Sequence, residues 1–548
     1  MKSKISLIAA VILCCASCVD VNNQLGGSLL PVDQTYEVYS ASMPIQDISV
    51  RMADSLSGYS NTRITLGAIR ESEYGLTTRS CAMTLIPTVD TMDFGTNPQL
   101  RFFNFQAALD TVSMADPAQR NILQRLRVHE LTAPTRALYC NSDVIPSETS
   151  ILAQPTYLNG TDSLSFNFSE AYAQKFFALT QNDLSSIDKY LAKIPGIYLS
   201  VDAPVGEGGR INMFDLQLDY SKSAGSVLGN YATLAFRSTY NGNVRDTAFY
   251  FYYGADDLYP MDSLLNKSST GSFPQYCLNL TGQSTRERQG KASDRIMVEG
   301  GGGLKPVISA RCLRDMARKA IVDSLLAAGK SADLLPMVVI NRASLVLPFE
   351  VEQDYRLAFL TPYILSPTCR IRTDTTSVFM GLTDSSDSKE NQGDIDRSNL
   401  QFAPDITYHL QALLKMDDNK IDNGNYDIWL LTMAKEEVTT ASSAADDEMS
   451  EYYQYLAYQS YYNDMYGYGG YGGYGYGGYG YGYGGYGGGY SNYYSYMMAA
   501  MYMNANSSTT SLTTQLDISR FYRFALNGPA SAGRRPELRL VFSVPNKD

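Results

Sequence analysis

The chain has 548 residues, 44% of them hydrophobic and 18% charged, a composition that supports a sizeable core and excludes wholesale disorder. At roughly 100 to 200 residues per domain, that length implies two or three domains or one elaborated sheet structure. Lys and Arg total 44 against 56 acidic residues, a net charge of -12 with no concentrated basic stretch, so nucleic acid is excluded as a partner.

The chain opens with Lys2 and Lys4 as a positive region, an apolar stretch over residues 5–13, and Ala16-Ser17-Cys18 as a small-residue cleavage site. This reads as a signal peptide over 1–17, because about nine apolar residues are too few to cross a hydrocarbon core of roughly 30 Å. Cys15-Ala16-Ser17-Cys18 resembles the lipobox of bacterial lipoproteins, with Cys15 standing where that motif usually has Leu. The resemblance implies that Cys18 is acylated and becomes the first residue after cleavage. Two alternatives stay open at this point: Cys15 as acceptor behind Ile12-Leu13-Cys14, and an ordinary secreted protein with a chance cysteine. The expected partner is a membrane reached through the lipid, and the expected place is the outer membrane. Only Asp20 is acidic in the residues just after Cys18, which leaves the facing side undecided.

Residues 18–35 are polar, contain Gly and end near Pro31, as suits a tether. From Tyr36 onward, segments rich in β-branched and aromatic residues predict strands over 36–40, 45–52, 64–69, 80–86, 163–168, 196–201, 213–220, 232–238 and 248–253. Asn241-Gly242 predicts a hairpin turn. Helices are predicted from Asp116-Pro117 to Val128, from a Ser169 cap over 170–179, from Asp183 to before Pro195, and over 309–328 ahead of Gly329. Further strands follow over 337–340, 343–350, 356–360, 378–382, 406–416, 426–432 and 537–544. The expected class is mainly β with minor α: two β-sandwich-like domains with helical insertions and a disordered Gly/Tyr-rich loop. Gly and Ser accumulate over 200–225, which places the expected division at 36–215 and 216–548, the second part carrying a low-complexity insertion over 440–510.

Within that insertion, residues 466–490 are Tyr and Gly alone. Tyr466, Tyr468, Tyr471, Tyr474, Tyr476, Tyr479, Tyr481, Tyr483, Tyr486 and Tyr490 offer aromatic faces that bind by area without demanding sequence, so they are candidates for stacking on glycans or for self-association. The blander reading is a low-complexity expansion in a surface loop, which tolerates length cheaply.

Recognised catalytic patterns do not assemble. Gly300 to Gly303 invites comparison with a phosphate loop, but no Lys-Ser/Thr follows and Pro306 interrupts any helix, so a tight structural turn is expected. The Asx-rich run 417–424 lacks the acid pattern and terminal Glu of an EF-hand, and a turn is preferred. The two histidines, His129 on a predicted helix and His409 in a predicted strand, are expected to be structural or exposed. Cys81, Cys140, Cys277, Cys312 and Cys369 are an odd set with no CxxC, so no metal site and no cofactor are expected, and most of these cysteines are expected to be buried inert thiols. Asp followed by Ser or Thr and then an apolar residue or Thr resembles the O-glycosylation site of exported Bacteroides-type proteins. It marks Ser55, Thr91, Thr111, Ser163, Thr247, Ser263 and Thr375, with Ser324 the weakest because it falls inside a predicted helix.

Gly27-Ser28-Leu29-Leu30-Pro31, Leu66-Gly67 with Tyr74-Gly75, the Gly300 to Leu304 turn, Ile340-Asn341-Arg342-Ala343-Ser344-Leu345 and Arg535-Pro536-Glu537-Leu538-Arg539-Leu540 together resemble the DUF4270 lipoproteins of Bacteroidota. The resemblance spans nearly the whole mature chain, leaves out the Gly/Tyr tract, and implies an envelope lipoprotein without supplying catalytic residues. The functional expectation is therefore a lipid-anchored envelope protein with a non-catalytic structural or interaction role. Its partners would be other envelope proteins or glycans, and the alternative is a surface glycan-binding protein that uses the exposed tyrosines.

Overall fold

A computed structural model describes residues 35–546, apart from 55, 136–138, 222–225, 255–270, 274, 352–354, 373–376, 383–390 and 441–508. The fold is mainly β, built from antiparallel sheets with few helices.

The first large core lies against a sheet whose hub is the strand Gly75–Pro87. Ala82 on this strand is opposite Tyr198 on one edge and Leu278 on the other. Farther along, the hub exchanges these partners for Asn243–Gly254, with Phe251 opposite Pro87. One long strand can serve several shorter ones because its side chains are buried on both faces from Cys81 to Pro87. Aromatic rings fill the interior: Phe103 lies 4.6 Å from Phe168 and 5.0 Å from Phe176, and Phe105 lies 4.4 Å from Tyr253. Two helices close this core, α1 (Glu170–Phe177) and the short α2 (Ile187–Leu191). As expected, Ser169 caps α1, its side chain accepting from the Tyr172 amide.

The second core is enclosed by a five-stranded and a seven-stranded sheet together with α3 (Ala310–Ala327) and α4 (Thr407–Lys415). Ile48, Ile308, Leu365 and Ile428 from one sheet meet Leu345, Leu538, Leu540 and Phe542 from the other. α3 begins where the sequence indicates, with the Ser309 side chain accepting from the Cys312 amide, and buries Leu313, Ala317, Ile321 and Leu325 at helical spacing.

Core membership divides the chain differently from the expected 215/216 boundary. The strands Tyr36–Pro44 and Ile48–Met52 belong with the second core, the former paired along its length with Glu537–Pro545. Residues 216–277 supply Leu216, Leu234, Phe236 and Phe251 to the first core instead. Near the expected boundary, Leu218–Ser221 pairs with Ser226–Gly229 in a small three-stranded sheet. A crossover between cores closer to residues 285–295 could not be read there, because strand pairing over hundreds of residues leaves no local trace.

Four expected elements take another form. The helix expected over 116–128 is a single 3-10 turn, Pro117–Gln119, followed by the strand Gln124–Leu131. Gln124, Leu126 and Val128 are buried at period two while Ile122 and Leu123 are exposed, so the strand pattern governs. The strand expected over 406–416 is α4, where Ile406, His409, Leu410 and Leu413 are buried at spacings of three and four. The strand expected over 356–360 is the 3-10 segment Tyr355–Leu360. The helix expected from Asp183 is broken into the 3-10 turn Asp183–Ser185 and α2. The Asn241-Gly242 hairpin forms as expected, with φ of 47° and 81° at its two central residues.

Candidate functional site

The two cores meet around the turn Gly300 to Gly303, which links the strands Arg295–Glu299 and Leu304–Ile308. The turn is closed by the Gly303 amide donating to the Gly300 carbonyl at 3.1 Å. Gly301, Gly302 and Gly303 each leave room for a side chain arriving from the other side of the junction. A Cβ on Gly301, whose φ is +57°, would lie 2.7 Å from Arg79 Nη2. One on Gly302 would lie 2.7 Å from Asn141 Nδ2, and one on Gly303 would lie 2.5 Å from Gln283 Nε2. The glycine run is therefore the turn expected from sequence, and its function is close approach between the cores.

Behind the turn, Glu299 accepts from Thr285 Oγ1 at 2.8 Å and from the Leu304 amide at 2.9 Å, while Lys305 donates to the Glu299 carbonyl. Burial raises the Glu299 carboxyl above its ordinary range and lowers the Lys305 ammonium below its own. Asp517 accepts from Arg520 Nη1 at 2.8 Å and from the Tyr522 hydroxyl at 2.7 Å. Arg79 is the exception in this group. It is fully buried and its pKa is pulled down to about 10 by burial, offset by the charges of Glu299 and Asp517, yet among the described residues its one hydrogen bond is a 3.3 Å contact from Nη1 to the Thr78 carbonyl. Its Nε and Nη2 have no hydrogen-bond partner among the described residues. The buried Arg210 of the first core makes a contrast, donating to Asn212 Oδ1 at 2.7 Å and to the carbonyls of Leu158 and Ile122.

In front of the turn is a cleft of roughly 190 Å³, lined among others by Met52, Asn141, Gln283, Arg286 and Gly302. The backbone of Asn141 is fixed on both sides, its amide donating to the Leu56 carbonyl at 2.9 Å and its carbonyl accepting from the Thr281 amide at 2.6 Å. The residue is only 2% exposed, and neither Oδ1 nor Nδ2 has a hydrogen-bond partner among the described residues. Gln283 Nε2 donates to the Gly300 carbonyl at 3.4 Å, while Gln283 Oε1 is buried without a partner among the described residues. Arg286 stands at the mouth, 3.9 Å from Asp54, whose other oxygen takes Arg370 at 3.1 Å.

The structure does not bring the residues singled out in the sequence together at this junction. Cys18, Ser55, Ser263, Thr375 and the ten tyrosines from Tyr466 to Tyr490 lie outside the described residues. Of the remaining glycosylation candidates, Thr91 and Ser163 are exposed. Thr111 and Thr247 are half-buried within strands, and Ser324 lies on α3 with its hydroxyl donating to the Ala320 carbonyl at 2.8 Å. His129 stands on a strand, with Nδ1 3.1 Å from the Ser150 carbonyl. In the Asx-rich run, Asp418 opens the short helix α5 (Asp418–Ile421) and Asp422 follows it, and they take Arg314 at 2.6 Å and Arg311 at 2.5 Å. No disulfide links the described cysteines, and no cluster of three or more metal-ligating side chains occurs among the described residues. Sequence reasoning found the glycine turn but missed Asn141, Gln283 and Arg79, whose only signal would have been their position relative to a turn distant in the chain.

No family model, curated protein or solved structure matches this chain.

Proposed function

We propose that this chain is an exported lipoprotein of the outer membrane, held by an acylated Cys18, whose β-built body has a non-catalytic structural or interaction role. The observation that carries the reading is the sequence Lys2 to Cys18, a positive region, a short apolar stretch and a small-residue site ending in cysteine, followed by a polar run up to the strand Tyr36–Pro44. The resemblance to envelope lipoproteins points the same way. No helix among the described residues is long and apolar enough to cross a membrane. The buried charges Glu299, Lys305 and Asp517 are engaged within the fold, which suits a role in holding the body together.

Metabolic labelling with a clickable palmitate tests the anchor. The wild-type chain is expected to carry label and to fractionate with outer membranes, and Cys18→Ala is expected to lose both. An unlabelled wild type sinks the reading. Cross-linking the lipidated protein in native envelopes would then identify what the body touches.

A further inference from the structure

The five-stranded sheet turns one face to the second core and the other outward. On the strand Tyr36–Pro44, Tyr39 and Met43 pack inward, so Tyr36, Val38, Ser40 and Ser42 lie on the outward face. The register carries this face across neighbouring segments. Tyr36 is opposite Pro545, and Val38, Ser543 and Val339 form one cross-strand row, with Met337 two residues before Val339. Tyr36 is 58% exposed, Val38 65%, Val339 48% and Met337 47%, while Ser543 between the two valines is buried. Exposed apolar side chains are ordinary one at a time, but four on adjoining positions form a patch with something to cover it.

Two observations select a lipid surface as the cover. The first is place: the patch begins at Tyr36, where the chain arriving from Cys18 joins the body eighteen positions on. A linker of that length spans roughly 21–25 Å as a coil and at most about 60–65 Å fully extended. So short a tether holds a face near its anchor at an effective concentration on the order of millimolar, and contacts too weak to recruit the body alone become populated. The second is charge. Glu37 accepts from the Tyr39 hydroxyl at 2.5 Å and pairs with Lys330 at 3.2 Å, and Glu537 accepts from Arg539 Nε at 2.6 Å and from Ser42 Oγ at 2.8 Å, so the carboxylates of these two strands are engaged. Arg342 is exposed in the row after the valines, where its cross-strand neighbours are Val541 and Ser40. The face therefore passes from apolar to cationic within one row, about 7 Å along the strand. That step matches the roughly 5–10 Å between the acyl boundary and the headgroup layer, where a Tyr ring is also at home.

We propose that this corner of the sheet docks on the membrane that the anchor enters, with Tyr36, Val38, Met337 and Val339 at the boundary of headgroups and acyl chains and Arg342 against lipid phosphates. The proposal rests on acylation of Cys18 and adds to that reading which face of the body meets the lipid.

The test uses the full-length lipidated protein carrying Val38→Trp or Val339→Trp, reconstituted in vesicles of phosphatidylethanolamine and phosphatidylglycerol whose acyl chains are brominated to quench nearby indoles. The native Trp429 is 2% exposed and supplies a constant background, and Tyr157→Trp, at an exposed site of the first core, is the control for a body that is merely tethered. Quenching in Val38→Trp and Val339→Trp is expected to exceed the control at least about twofold, because a side chain roughly 5–10 Å into the interface comes within reach of the bromines. Adding Arg342→Glu to Val38→Trp is expected to weaken that quenching. Both tryptophan sites are exposed, so wild-type unfolding midpoints are expected, and either variant decides the matter if the other misfolds. Quenching no greater than the control overturns the proposal. So does a blue shift of the Val38→Trp emission that is present in detergent without vesicles and grows with protein concentration, which gives the face to a second copy of the chain. The same preparations are assayed for clickable palmitate: labelled protein without quenching refutes the docking alone, and unlabelled protein refutes the anchor and the docking together.

Discussion

His409 shows how a single buried side chain sets a measurable property. It is wholly buried on α4, and because a carbonyl can only accept, its Nε2 carries the proton it donates to Tyr426 at 3.1 Å. Burial lowers its pKa from 6.5 to about 4. The unfolded chain therefore binds a proton between pH 6.5 and 4 that the folded chain refuses. This contribution is fully present above pH 6.5 and is lost as pH falls toward 4, on the order of 3 kcal/mol in all. The raised carboxyls of Glu299 and Asp427 act in the opposite sense, favouring the folded state as pH falls. Chemical denaturation of wild type and His409→Gln at pH 7 and pH 4.5 isolates the histidine. The variant is expected to be less stable at pH 7 and to lose less on acidification, and equal losses in the two proteins would contradict the assignment. In the sequence, His409 could be recognised as a poor catalytic candidate because so few partners were within reach, but its burial depended on whether residues 406–416 formed a strand or a helix.

At the scale of the element, the readings that held were those with chemical end signals. Ser169 and Ser309 accept from amides three residues on, and Asn241-Gly242 adopts the positive φ angles its turn requires. Of the readings that failed, some were judged on composition, while Asp116-Pro117 carried a genuine start signal that forms but caps only one 3-10 turn before the strand pattern takes over. Residues 406–416 are apolar enough for a strand, yet their burial at spacings of three and four is helical, whereas 124–131 buries every second residue. The tyrosine-rich insertion bears on a third element, the hairpin of Ile428–Thr440 with Thr509–Leu516, in which Thr440 is opposite Thr509. Replacing residues 441–508 by Asn-Gly closes this hairpin with a tight turn, and each halving of loop length relieves about 0.6 kcal/mol of closure entropy. The unfolding midpoint of the excised protein is expected to match or exceed that of the wild type. A drop of several degrees in calorimetry would mean that the insertion packs on the body.

The whole molecule is held by its ends. Glu537–Pro545 pairs with Tyr36–Pro44 on one side and with Val339–Pro348 on the other, and it buries Leu538, Leu540, Phe542 and Val544. Four such side chains contribute roughly 6–12 kcal/mol, comparable to the entire margin of a typical domain. A chain stopped after Arg535 is expected to lose the second core, seen as rapid protease cleavage within residues 296–430 where the full chain resists. Wild-type resistance in the truncated chain would show that the strand is dispensable. The two cores are joined through contacts of the same long range. Ile69, Ala115, Ile211, Leu360 and Phe521 form a small apolar cluster, the Phe521 amide donates to Ser113 at 2.9 Å, and Glu71 pairs with Arg523 at 2.9 Å.

The sequence by itself determined the β-rich class, the capped helices α1 and α3, the hairpin turn and the need for a tight glycine turn at Gly300 to Gly303, because caps, turns and glycine conformations are decided by residues a few positions apart. Only the tertiary structure decided which strands share a core, whether an apolar run lies in a helix or a sheet, and that Arg79, Asn141 and Gln283 converge on that turn. Those outcomes depend on pairings between residues hundreds of positions apart, where each side chain's burial is set by a neighbour that the local sequence does not encode.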